Sequence, residues 1–161
     1  MHRVGQFVAH VRARVAPDEA AFARRVLPPD AATLFDGMPV ADRRHALDVS
    51  GRLLTSGIDD PDLLAAALLH DAAKGHRMRL WHRIAGVLLE SFAPATLRRL
   101  ASPDPSSWRH PFHLYLHHAD LSADLSTSAG CSPRVAAFIR GAATGEDALL
   151  QRALTIADDA S

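Results

Sequence analysis

Cysteine occurs once in this chain, at Cys131, so no intramolecular disulfide can form and the composition suits a reducing cytoplasm. Beside a turn, Cys131 reads as a small apolar filler rather than a nucleophile. Neither sign of charge is in excess: 18 Lys and Arg stand against 18 Asp and Glu. That balance argues against wholesale capture of nucleic acid, which normally shows as a basic excess or patch. No apolar run reaches the about 18 residues a membrane-spanning helix needs. Met1-His2-Arg3-Val4-Gly5 leads into no continuous apolar region of the secretory type. β-branched residues are sparse, no segment alternates as a strand does, and there is neither an internal repeat nor a low-complexity tail. What remains is ordinary globular composition, 48% hydrophobic over 161 residues, enough for a single domain over 1–161 with a substantial core. Histidine is the exception: there are ten, and most lie between His70 and His118.

The periodicity is helical almost throughout. Val4, Phe7, Val8, Val11 and Val15 trace one face of a helix. Pro17 opens a second, with Asp18 and Glu19 at its positive end, and Pro28-Pro29 stops it. A short helical turn is expected at 31–35. Pro39 begins the helix that carries His45, and Gly57 ends it. Asp60-Pro61 is an N-cap followed by a first-turn proline, opening a helix that runs to His70-Asp71 and is broken at Gly75. A polar link follows, His76-Arg77-Met78-Arg79. Helices are expected over 80–92, 94–100, 110–118, 120–128, 132–143 and 146–159, with a Pro/Ser-rich loop at 102–107. The fold class is therefore all-α, a bundle of about eight to ten helices.

The most informative feature is His70-Asp71, which closes the apolar run Leu63-Leu64-Ala65-Ala66-Ala67-Leu68-Leu69. A charge at the end of a buried helix is costly unless something pairs with it. A divalent cation is such a partner, and imidazole and carboxylate are ligands for first-row metals. His45 and Asp158 lie on other segments of helical spacing, and Asp158 again follows an apolar stretch. If the helix of His45 packs against the one ending at His70-Asp71, these side chains can meet. Each alone also fits a plainer role, a histidine satisfied by a carbonyl or a polar helix end.

His45, then Leu68-Leu69-His70-Asp71-Ala72-Ala73-Lys74, then Ile156-Ala157-Asp158, resemble the HD domain superfamily of metal-dependent phosphohydrolases over roughly residues 40–160. The resemblance implies a compact helical core over 39–161, with 1–38 packing on it. It also implies His45, His70, Asp71 and Asp158 as metal ligands. His118-Ala119-Asp120-Leu121-Ser122-Ala123-Asp124-Leu125 is similar to the His-Pro-Glu-Ile-Gly-Ala-Glu-Leu segment of members that hold two metals. Those members carry paired histidines on the next helix, where this chain has Gly141-Ala142-Ala143. Alanine cannot ligate, so a second metal of that type is not expected. His82 is a substitute ligand by its place in the long segment after Lys74.

A mixed His/Asp site suits one divalent transition metal, Mn, Fe, Co, Ni or Zn, better than Ca²⁺. Charge gathering on phosphoryl oxygens needs cations nearby. Lys74, three residues past Asp71, is the first choice; Arg44, Arg77 and Arg79 come next, against a solvated basic surface. His118 is a candidate second-site ligand, general acid or phosphate-binding donor, while His110, His113 and His117 read as histidines with local partners. Asp71, Lys74 and His118 are thus the expected catalytic residues. Trp81, Trp108, Phe112 and Tyr115 read as core packing or, alternatively, as a base-stacking wall. The expected function is hydrolysis of a phosphoester or phosphoanhydride in a small, nucleotide-like phosphorylated molecule in the cytoplasm, with no membrane or nucleic-acid partner. The alternatives are a catalytically degenerate HD-like binding or regulatory module, and a purely structural helical domain.

Overall fold

Burial is most complete along the apolar run, where every residue from Leu63 to Leu69 is removed from solvent. A helix apolar all round has to be enclosed on all sides. In the computed structural model, which describes residues 14–75, 78 and 80–161, this helix is the hub of the molecule. Nine α-helices occur among the described residues, and no strand. They are α1 (Pro17–Val26), α2 (Pro29–Asp36), α3 (Val40–Thr55), α4 (Pro61–Leu69), α5 (Leu80–Phe92), α6 (Pro94–Leu100), α7 (His110–Ser128), α8 (Pro133–Ile139) and α9 (Ala148–Asp159). The hub is α4, which packs against α1, α2, α3, α7, α8 and α9. Phe35, Val49, Leu53, Leu68, Val135 and Phe138 belong to the one buried cluster built around it. No described helix is long and apolar enough to cross a membrane.

The helix starts follow the sequence closely. The Asp60 carboxylate accepts from the Leu63 amide at 3.0 Å, which caps α4. Ser132 caps α8 in the same way, its hydroxyl accepting from Val135 N at 3.3 Å. Proline occupies the first turn of α1, α2, α4, α6, α7 and α8, where its missing N–H has no helical partner to lose.

Three expectations are corrected. The segments 110–118 and 120–128 are one helix, α7, because no glycine or proline separates Pro111 from Gly130. The helix expected over 132–143 ends at Ile139. Gly141 adopts φ 67°, and Ala142 N–H donates to Ala137 O at 2.9 Å, a left-handed helix stop. Gly141-Ala142-Ala143 therefore lie beyond α8. The segment 146–159 opens as a 3₁₀ turn, Gly145–Asp147, before α9 begins. The helix expected at the N-terminus falls on residues outside the described part, except for Val15, which is non-helical and packs partly buried against the core.

Outside this cluster, α5 and α6 pack on each other and on α7. Gly86 makes the α5–α7 contact close: a Cβ at that position would stand 2.7 Å from the Tyr115 ring. The Tyr115 hydroxyl donates to Glu90 Oε2 at 2.6 Å, tying the same two helices.

Candidate metal centre

Three helices set the site. Packing of α3 and α9 on α4 brings His45, from the middle of α3, and Asp158, from the end of α9, to the C-terminal end of α4. His70 is the residue that caps α4 there, with φ −56° and ψ −27°. With its proton on Nε2, His45 donates to Asp158 Oδ1 at 2.8 Å. Asp158 Oδ1 also lies 3.4 Å from His70 Nε2. The two imidazole rings meet edge to face, centroids 5.3 Å apart. His45, His70 and Asp158 each offer a ligand atom within 4.8 Å of the others, so the group could hold a metal ion.

His70 is oriented for this. Its Nδ1–H donates to Ala67 O at 2.9 Å. That bond fixes the ring and leaves Nε2 as the ligating nitrogen, the arrangement typical of histidines behind a metal. Nε2 is buried and makes no hydrogen bond of acceptable geometry. A buried ring nitrogen without a partner is costly, and a cation between His45 and Asp158 would satisfy it. Burial alone would favour neutral His70. The carboxylates of Asp71 and Asp158 outweigh it and hold the imidazole pKa above its ordinary value.

Asp71 is placed differently from the other expected ligands. Its carboxylate is 2% exposed, and Lys74 Nζ stands 2.6 Å from Oδ1 and 2.7 Å from Oδ2. Oδ1 is 3.6 Å from His70 Nε2. Burial pushes the Asp71 pKa up, but the charges of His70 and Lys74 and the Lys74 hydrogen bond hold it well below the carboxylate range. The same competition acts on Asp158, where the hydrogen bond from His45 and the nearby His70 imidazole outweigh burial. Asp71 thus borders the three-residue group, with Lys74 over both of its oxygens.

His118, from the middle of α7, faces the same place. Its Nδ1–H donates to Tyr115 O at 2.9 Å. Burial, then the charge of Lys74, hold its pKa below the ordinary value, while the Asp71 carboxylate pulls the other way. One turn on, Ser122 Oγ accepts from Ala73 N at 3.0 Å and pins the turn that carries His70 and Asp71 against α7. A cleft of about 200 Å³ opens beside the group, lined by His70, His118, Arg140, Gln151, Thr155 and Asp158. The Gln151 side-chain oxygen is buried there and has no hydrogen-bond partner. Sequence reasoning missed Ser122, Arg140 and Gln151. The signal for two of them was available: Gln151, Thr155 and Asp158 share one face of α9, and Ser122 lies a helical turn past His118.

Other expected residues are placed elsewhere. Arg44 is bound to Glu19 at 2.6 Å and to Asp48 at 2.8 Å. It lines a separate cleft of about 800 Å³ with Arg52 and Ile156, which His45, His70 and Asp158 do not border. His82 is buried on α5 against the rings of Trp81 and Phe112, outside the three-residue group. Arg77 and Arg79 lie outside the described residues. Of the aromatic residues, Phe112 is buried, whereas Trp81 and Trp108 are 51% and 68% exposed. Packing thus accounts for Phe112, but not for the two tryptophans.

No family model matches the sequence, and neither does a curated protein or a solved structure.

Proposed function

We propose that this protein is an HD-type metal-dependent phosphohydrolase, acting on a phosphoester or phosphoanhydride of a small, nucleotide-like molecule. One observation carries the proposal: the buried Nε2 of His70, oriented by Ala67 O, makes no hydrogen bond and lies within 4.8 Å of ligand atoms of His45 and Asp158. The donor set, two imidazoles and a carboxylate beside a second carboxylate, fits one Mn, Fe, Co, Ni or Zn ion. His45, His70 and Asp158 would hold it, with Asp71 at its border. Such an ion polarises a phosphoryl oxygen and lowers the pKa of bound water.

The rest is the work of the chain. The cleft of about 200 Å³ admits a phosphoryl group and the first atoms of its ester. Lys74, locked on Asp71, fixes positive charge beside the cleft where charge grows on phosphoryl oxygens. His118 is kept neutral by burial and by Lys74, with Nδ1 committed to Tyr115 O. Its Nε2 lone pair suits it to accept a proton from the attacking water more than to protonate a leaving group.

A second reading, a binding or regulatory module on the same scaffold, is favoured by the ligand-free Gly141-Ala142-Ala143 and by Lys74 covering Asp71. Metal analysis with Mn²⁺ decides first: about one Mn²⁺ per chain is expected, held by His45, His70 and Asp158, and Asp158→Ala should lose it. A panel of nucleotides and bis(4-nitrophenyl) phosphate with Mn²⁺ decides next. Turnover abolished by Asp158→Ala supports the enzyme. Metal binding without turnover supports the module, and no metal binding defeats both.

A further inference from the structure

A second group of histidines lies on α7, apart from the centre just described. His110, His113 and His117 are spaced i, i+3 and i+7 and so share one face of the helix. The rings of His113 and His117 stand 4.5 Å apart at 41°, and those of His110 and His113 stack at 5.7 Å and 25°. His117 is exposed and the other two are half-buried, so the face is open to a solute. Two histidines at i and i+4 on a helix can bind one ion between them.

Two features prepare these rings as ligands. His110 Nδ1–H donates to Ser102 O at 3.2 Å, which anchors the ring from the loop before α7 and leaves Nε2 for a ligand. Burial, with the neighbouring His117 and His110, lowers the pKa of His113 and keeps it in the neutral, ligating form. The three side chains meet ring to ring along this face.

We propose that His113 and His117 chelate a divalent late-transition metal ion, with His110 as a third ligand, at a site separate from the His45–His70–Asp158 centre. An all-imidazole set selects Zn²⁺, Ni²⁺ or Cu²⁺ over Mg²⁺, Ca²⁺ and Mn²⁺. The three rings do not yet converge on one point. Binding therefore requires the His113 and His117 rings to turn, at the cost of their contact.

The test is titration of the full chain with Ni²⁺, in wild type, in H113Q/H117Q, in H45A/D158A and in the combination. Glutamine keeps size and polarity, and circular dichroism with thermal melting checks that each variant is folded. In H45A/D158A one Ni²⁺ still binds, and adding H113Q/H117Q weakens that binding by at least about tenfold. The single change H110Q weakens it less. Ni²⁺ binding that is the same with and without H113Q/H117Q overturns the proposal. The site does not depend on the phosphohydrolase reading: wild type binding a single ion, lost in H113Q/H117Q and kept in H45A/D158A, supports this site while defeating the other.

Discussion

Asp158 Oδ1 lies 2.8 Å from His45 Nε2 although 113 positions separate them in the chain. The contact closes the bundle, since it joins the end of α9 to the middle of α3 beside the cap of α4. A group formed by three distant segments is sensitive to the loss of any one of them.

Removing Asp158 should uncouple the ion from the fold. An ion that binds only the native state raises stability by about 2.7 kcal/mol at one hundred times its dissociation constant. In wild type, Mn²⁺ or Zn²⁺ is expected to raise the melting temperature. In Asp158→Ala or His70→Ala the shift attributable to this centre should vanish. An unchanged shift in calorimetry of Asp158→Ala, made in the H113Q/H117Q background, would show that the ion binds elsewhere.

Lys74→Met should be severe. It leaves a carboxylate 2% exposed without its hydrogen-bonded counter-charge, and orphaning one partner of a buried pair costs about 3 kcal/mol or more. Asp71→Asn combined with Lys74→Met should recover much of that loss. Urea unfolding of the single and double variants gives the comparison, and equal destabilisation in both would refute the coupling.

The metal-free protein should lose stability as pH rises through the imidazole range, as far as His70 is concerned. His70 has a folded-state pKa above its ordinary value of 6.5, so the folded state holds its proton more tightly than the unfolded chain does. The resulting stabilisation is fully present below 6.5 and disappears as pH passes the raised folded value. His118 is shifted down and acts in the opposite sense. His113 is shifted down as well, so the difference in melting temperature against pH between His118→Gln and His118→Gln/His70→Gln isolates His70. Because a ligating Nε2 must be free of its proton, metal affinity should climb over that same window. A flat profile in His118→Gln that His70→Gln leaves unaltered contradicts this account.

Gly86→Ala should strain the α5–α7 contact. The added methyl meets Tyr115 Cδ2 at 2.7 Å, closer than packed carbons allow. Overpacking of this kind costs about 1–3 kcal/mol. Tyr115→Ala in the same chain should remove the clash, so the two changes together should cost less than their sum. Additive costs in denaturant melts would count against the contact.

Helix starts were the most legible part of the fold, because Asp60-Pro61 and Ser132-Pro133 are local signals whose hydrogen bonds close within one turn. Helix ends were less so. The stop after α8 depends on the Gly141 backbone, and the continuity of α7 depends on the lack of any breaker near Ala119. At the site, burial around the Leu63–Leu69 run made His70 conspicuous, and the spacing to His45 and Asp158 could be read as three segments meeting. Side-chain direction could not be read. Arg44 adjoins His45 in sequence, yet one residue along a helix is about a hundred degrees of turn, and it points to Glu19 on α1. Asp71 adjoins His70 and is held by Lys74 for the same reason.

The seating of α5 and α6 on α7 has a further effect. Among the described residues the pair adds none to the cluster around α4, and its outer side carries Trp81, Ile84, Leu88 and Phe92 into solvent. The pair stands outside the main buried cluster, so it can detach at a smaller free-energy cost than the bundle. Its amides should exchange with deuterium ahead of those in α4, while His45, His70 and Asp158, borne by other helices, keep their places.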